Sequence, residues 1–138
     1  MWWSTPGPTP KKPKPVAAEA RALGVDALAV LADVFDRNQV AAMMAQAREK
    51  FSKIDILIYN AAIRPHKPFT AVTIEDWEQV RGVVLDGAFY CTHAVIPSMV
   101  KNHYGRILFF TGDGLFMGSP QLSYVSAANM GLLGLARG

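Results

Sequence analysis

The stretch Asp55-Ile56-Leu57-Ile58-Tyr59-Asn60-Ala61-Ala62 decides how the rest of this chain is read. Its unbroken apolar middle, two positions of it β-branched, has the length and texture of a buried strand, and the polar and small residues after it open a loop carrying Pro65 and Pro68. Helical signals lie on either side. Upstream, Asp36 is placed to cap a helix over 37–51, where Val40, Met43, Met44, Ala47 and Phe51 make one apolar face. Downstream, Thr73 and Asp76 have the spacing of a capping box, with Asp in place of the longer Glu or Gln. The helix they open runs through Trp77, Val80, Val84, Phe89 and Val95 to about Met99. Gly105 ends that connection, and Arg106–Phe110 (RILFF) is a further strand. A Gly-rich loop then leads to a last helix over Ser123–Arg137. Before the deciding stretch, Ala27–Ala32 (ALAVLA) has strand length, and residues 16–23 read as the end of a helix stopped by Gly24, which tolerates the left-handed conformation after a helix. Alternation of helix and strand is the pattern of a parallel α/β sheet. No internal repeat is present.

Composition sets the outer bounds. At 138 residues, 51% hydrophobic and 18% charged, the chain has the size and make-up of one globular domain. The formal charge of +3 is local: Lys11, Lys12 and Lys14 take three of the fourteen Lys/Arg, which leaves eleven against eleven Asp/Glu beyond them. A folded basic face for nucleic acid is therefore not expected. Residues 1–15 hold five of the nine prolines and show no helical or strand period, so an extended or disordered Pro/Lys-rich tail is expected there, with the folded domain over 16–138. One cysteine, Cys91, excludes an intrachain disulfide. No apolar run approaches the roughly 18 residues of a membrane span, and the start lacks the basic and apolar regions of a secretory signal, so a cytoplasmic location is expected. His66, His93 and His103 lack metal-ligand spacing, and no metal is expected.

From Val16 to Gly138 the order of elements and loop residues resembles the short-chain dehydrogenase/reductase family. Ala32-Asp33-Val34 is similar to the family's Asp-Val after its third strand. The stretch 55–62 resembles the fourth strand and its Asn-Asn-Ala-Gly turn, with Tyr59 and Ala62 as departures. Leu85-Asp86-Gly87-Ala88-Phe89 matches the middle of the following helix, Gly105-Arg106-Ile107 the start of the fifth strand, and Gly131-Leu132-Leu133-Gly134-Leu135-Ala136-Arg137 the last helix. The resemblance implies a partial Rossmann-type, doubly wound parallel sheet of the α/β class, with three strands and flanking helices. It implies NAD or NADP as cofactor, an alcohol or carbonyl as small-molecule substrate, and a homo-oligomer packed through helices 73–99 and 123–137. The cofactor-facing positions it implies are Asp33 and Val34 at the adenine, Asn60, Ala61 and Ala62 along the ribose side, and Thr111 and Gly112 after the fifth strand.

The same resemblance makes substitutions informative. A hydride moved to or from a carbonyl must be matched by a proton at the oxygen, which the family supplies with a Tyr, a Lys four residues later, a Ser and an Asn. Alignment through Gly131 places Val125 at the Tyr, Asn129 at the Lys, Gly112 at the Ser and Val84 at the Asn. Tyr124, one residue earlier, is the remaining candidate acid/base. The residue four beyond it is Ala128, so the cation that would activate its phenol is missing, and one residue turns the side chain about 100° around the helix. No Gly-rich phosphate turn precedes Val16, and Gly112, Gly114 and Gly118 lack its spacing. In the usual strand order 3-2-1-4-5-6, two strands are then missing between Ala27–Ala32 and Asp55–Tyr59, a gap of some 14 Å at about 4.8 Å per strand. Arg64, His66 and Lys67 lie in the loop after Asn60, where they would meet an anionic substrate or simply solvent. Three functions are thus expected: an oxidoreductase by family that is inactive as this chain, a non-catalytic assembly or binding module, or a gene fragment.

Overall fold

A computed structural model describes residues 13–138, without the side chains of Pro13, Lys14 and Leu115. The first element, helix α1 (Pro13–Ala22), ends in Leu23 and Gly24, whose φ of 85° is the left-handed conformation expected of it. Pro13–Pro15 therefore belong to a helix and not to the expected tail, because proline is accommodated in a first turn whose amides have no intrahelical partner. The remainder of that tail, residues 1–12, lies outside the described residues.

Helix α2 (Arg37–Phe51) starts where its cap demands: the Asp36 carboxylate accepts from Asn38 N at 2.8 Å and Gln39 N at 3.3 Å. Its Val40, Met43, Met44 and Ala47 are buried, while Phe51, expected on the same face, is exposed at the helix end. Strand β1 (Ile56–Tyr59) pairs in parallel with β2 (Arg106–Phe109), Ile56 opposite Arg106 and Tyr59 opposite Phe109. The connection between them is helical almost throughout: a short 3-10 turn at Phe69–Ala71, α3 (Ile74–Arg81), a π turn at Gly82–Asp86, and α4 (Gly87–Lys101). The Thr73–Asp76 capping box is formed in both directions, so Asp is long enough after all. After β2 come a four-residue helix α5 (Gly114–Met117) and α6 (Ser123–Arg137).

The expected third strand, Ala27–Ala32, is not formed: residues 25–33 belong to no regular element. Residues 27–30 are uniformly half-buried, and burial alternates only past them, with Ala32 and Val34 buried and Leu31, Asp33 and Phe35 exposed. What is absent is a hydrogen-bonding neighbour, and without one an apolar run has the pattern of a strand but no ladder. The sheet among the described residues is thus two-stranded.

One face of that sheet is covered. Leu57 and Tyr59 point into a core built with α2, α4 and α6, and helix α4 packs on both α2 and β1. On the other face Ile56 is 54% and Ile58 57% exposed, and Leu108 and Phe110 are exposed beside them. A continuous run of helix, Ile74–Lys101, is 28 residues long and has a mean hydropathy of 1.4 over its most apolar window, which reaches the length of a membrane span and corrects the expectation that no run does. Its apolarity is accounted for by packing, since Val80, Val83, Val84, Ala88, Cys91 and Val95 are all core residues. Phe89, expected on that buried face, is half-exposed instead and lies against Tyr90 and His93.

Glycines set how closely the helical layer approaches the chain beneath it. A Cβ on Gly87 would overlap the Tyr59 hydroxyl and come 2.9 Å from the Val34 carbonyl oxygen, and one on Gly82 would overlap the Phe35 ring. Tyr59 uses this space to donate a hydrogen bond to the Val83 carbonyl within the π turn. Across the same turn Gly87 N donates to Gly82 O, five residues back, and Arg81 Nε donates to Asp86 Oδ2 at 3.1 Å. Gly87→Ala is expected to destabilise the protein by about 1–3 kcal/mol through overpacking. Measured by urea denaturation, the double variant Tyr59→Phe/Gly87→Ala should lose less than the sum of the two single losses, because the phenol oxygen is one of the atoms in the way.

Candidate active site

Because β1 and β2 are parallel and in register, their exit loops leave side by side at the carboxyl ends of the strands, where ligands of open α/β sheets bind. Phe110 N donates to Tyr59 O at 3.2 Å, which fixes the two exits together. Asn60 and Ala62 are exposed and Ala61 is half-buried after β1; Thr111 is exposed and Gly112 half-buried after β2. Val34 packs against Gly87, its carbonyl oxygen 2.9 Å from where a Cβ there would stand. The Asp33 carboxylate accepts from Phe35 N at 2.9 Å and is exposed, whereas Val34 is buried in the core. Asn60, Ala61 and Ala62 after β1 and Thr111 and Gly112 after β2 therefore share one edge, whereas Val34 lies in the core.

The four positions where the family pattern has its proton-transfer residues have other occupations. Val84 is fully buried in the π turn, and Val125 is buried in α6. Asn129 is buried as well, and its Nδ2 donates back to the Val125 carbonyl at 2.9 Å, within its own helix. At Gly112 a Cβ would come 2.5 Å from Nη2 of Arg64, so the arginine fills the place of a side chain there. Tyr124, the displaced candidate, is buried, and its hydroxyl donates to the Pro65 carbonyl at 2.9 Å. Burial pushes its phenol above its ordinary pKa, Asp76 pushes further, and Lys67 offsets part of that. A phenol held this way is a poor base at neutral pH.

The loop carrying Arg64, His66 and Lys67 is clasped to the helices. Lys67 Nζ donates to both carboxylate oxygens of Asp76, at 2.7 and 2.5 Å, and Lys67 N donates to Gln121 O at 3.0 Å. Lys67 is thereby committed to an internal ion pair, while Arg64 and His66 are exposed. Sequence reasoning missed this clasp, the filling of Gly112 by Arg64 and the Tyr59–Val83 bond. Each joins residues distant in sequence, and only the Asp76 cap left a signal. Cys91 is buried, and burial raises its thiol to about 12, so it is not a reactive group at neutral pH. Among the described residues no group of three His, Cys, Asp or Glu is placed to hold a metal ion.

The described residues do not fit a whole dinucleotide. A pyrophosphate needs open amides at a helix start. At α2 and α3 those amides are taken by Asp36 and by the Thr73–Asp76 box, whose carboxylates would also repel a phosphate. Helix α6 has no side-chain cap, but it follows Pro120-Gln121-Leu122 and not a glycine turn. What remains is an edge of polar and small residues, with Arg64 standing at Gly112 and the Tyr124 hydroxyl turned to Pro65 O.

Comparison with known proteins gives the following. A family model described as short chain dehydrogenase matches residues 7–138, which extends into the head where the sequence motifs gave no resemblance. A 3-oxoacyl-[acyl-carrier-protein] reductase of Synechocystis is 37% identical over 122 residues, covering 88% of this chain and 49% of the relative. Peroxisomal multifunctional enzyme type 2 of Drosophila melanogaster is also 37% identical, over 88% of this chain and 20% of its own length. A Sinorhizobium meliloti crystal structure described as a short-chain alcohol dehydrogenase superposes with a TM-score of 0.85 at 28% identity, over 90% of this chain and 49% of that one. The chain spans about half the length of the Synechocystis and Sinorhizobium proteins.

The clasp carries a pH signature. Its hydrogen bonds from Lys67, then from Thr73 N, hold the Asp76 carboxyl below its ordinary value of 3.8. A depressed acid stabilises the fold above its unfolded pKa, and that stabilisation is lost as pH falls through the lower folded value. Between pH 7 and about pH 3 the urea midpoint of the wild type is expected to fall further than that of Asp76→Asn, which has no such carboxylate to protonate. Equal losses would remove the clasp from the account.

Proposed function

The chain belongs to the short-chain dehydrogenase family, and from that premise we propose that residues 13–138 form the catalytically silent portion of a fold that elsewhere moves hydride between NAD(P) and an alcohol or carbonyl. The observation that carries this reading is the occupation of the proton-transfer positions: two buried valines, an asparagine bonded to its own helix, and a glycine backed by Arg64. The side-chain caps on the starts of α2 and α3 support it independently. Proton transfer by a positioned acid/base contributes about 10²–10⁴-fold to such reactions, so its loss alone accounts for silence. What the edge keeps is surface after the two strands, with Asn60, Ala62 and Thr111 exposed. The similarity to 3-oxoacyl reductases makes 3-oxoacyl thioesters one class of carbonyl to test first.

Purified chain incubated with NADPH or NADH and a panel of ketones, aldehydes and 3-oxoacyl thioesters is expected to show no nicotinamide oxidation above the uncatalysed rate. Turnover by the wild type that disappears in Asn60→Asp would overturn the reading.

A second reading, a non-catalytic assembly module, is favoured by one surface. Phe89, His93, Ile96 and Val100 are all exposed and recur at the spacing of a single helix face on α4. Self-association through that face predicts a dimer by light scattering that Phe89→Lys/Ile96→Glu converts to monomer. A wild type that stays monomeric at high concentration would exclude it.

A further inference from the structure

Arg64 is an uncommitted cation on a segment that is held in place. Ile63, before it, packs against the core; after it the Pro65 carbonyl accepts from the Tyr124 hydroxyl at 2.9 Å, and Lys67 N donates to Gln121 O at 3.0 Å. From this pinned segment the side chain crosses to the exit loop of β2. There its Nη2 lies 2.5 Å, and its Cζ 3.7 Å, from the point that a Cβ of Gly112 would occupy. Only glycine leaves that seat free, because even a methyl group would overlap the guanidinium. Apart from the chain on either side of Gly112, no other heavy atom of the described residues comes within 4 Å of the same point. The seat is therefore open to a ligand. Among the described residues the ion pairs belong to Lys50, Lys53, Lys67 and Arg81, and Arg64 donates no hydrogen bond. Asp113, next along the chain from Gly112, does not pair with it.

We infer that the Arg64–Gly112 seat binds the carboxylate of a small organic acid, two guanidinium N–H groups donating to its two oxygens. The seat stands at the carboxyl ends of two parallel strands, where small ligands of open α/β sheets bind. Asn60 and Thr111 are exposed polar residues of the same two exit loops. A planar fork of donors matches a planar carboxylate in a way that a lysine ammonium does not. Charge selects a monoanion. The cation nearest in sequence, Lys67, is already neutralised by Asp76, and Asp113 adds a negative charge to the exit loop, so one free positive charge faces the ligand. A phosphate dianion would need further donors.

The inference concerns binding alone and holds whether or not the chain transfers hydride. The test records NMR spectra of the 15N-labelled 138-residue chain without nicotinamide, so its outcome is separate from that of the turnover assay. The probe is levulinate, a 4-oxocarboxylate, at constant ionic strength, with its uncharged methyl ester and inorganic phosphate as comparisons. Levulinate is expected to shift the Arg64 Nε–H and Gly112 amide signals saturably in the millimolar range, as suits one exposed charge pair, and the ester to shift neither. Arg64→Gln is expected to weaken binding by at least about tenfold, ~1.4 kcal/mol. Arg64→Lys, which keeps the charge without the fork, recovers only part of that loss. Gly112→Ala keeps Arg64 but takes its seat, and should also weaken binding. Where that variant fails to fold, Arg64→Gln, a change of an exposed side chain, decides. Absence of saturable shifts overturns the inference, as does equal binding by Arg64→Gln or by the methyl ester. Phosphate saturating the same signals at lower concentration than levulinate would overturn it in favour of a phosphate site.

Discussion

A backbone amide taken out of water needs a partner, and the arrangement of this chain follows from where its amides find one and where they do not. In the helical layer the accounts close at α2, α3 and the π turn. Asp36 and the Thr73–Asp76 box take up helix starts, Gly24 ends α1, and the π turn keeps its ladder by shifting it one residue. In the sheet they close along one line only, between β1 and β2. Everything unusual about the molecule lies on the open side of that line: an apolar run that forms no strand, isoleucines facing solvent, and an open groove between residues 27–32 and β1.

The helical layer is able to hold this incomplete sheet because it is locally complete. Helix α4 packs on β1 and on α2, α6 closes the same core over α3 and the π turn, and the contacts of Gly82 and Gly87 with Phe35, Val34 and Tyr59 bind the 33–35 loop to the same layer. The exit loops at the carboxyl ends of the strands are positioned by that packing and by the Lys67–Asp76 clasp. The edge they form leaves Asn60, Ala62 and Thr111 exposed at the carboxyl ends of the strands. Its phenol is spent on Pro65, and its only uncommitted basic side chains among the predicted loop residues, Arg64 and His66, have no nucleophile or acid partner within the described hydrogen bonds.

Much of this was legible from residue order. Helices α2 and α6 begin and end at the expected residues, because Asp36 and the apolar spacing of 40, 43, 44 and 47 are local signals. The strands β1 and β2 were legible as apolar runs, and so was Ala27–Ala32, which is why it misled: an apolar run reports burial, whereas a strand also needs a neighbour. The head was misread at Pro13–Pro15 because proline density outweighed its tolerance in a first helical turn. That the loops after β1 and β2 share one end was legible because motif order implies two parallel strands there. The π turn, the Tyr59–Val83 bond and the seat of Arg64 at Gly112 were out of reach, since each depends on two segments meeting in space.

The claim on which the rest stands is that, among the described residues, the backbone of Ala27–Ala32 and the outer edge of β1 lack partners. Residue-resolved amide hydrogen exchange of the isolated 138-residue chain measures it directly. The account predicts slow exchange at Leu57, Tyr59 and Leu108, which face the β1–β2 ladder, and through the buried turns of α2 and α4. It predicts fast exchange at Leu28, Val30, Ile56 and Ile58. Protection of those four amides equal to that of Leu57 and Tyr59 would contradict it, because the groove would then already be filled or closed.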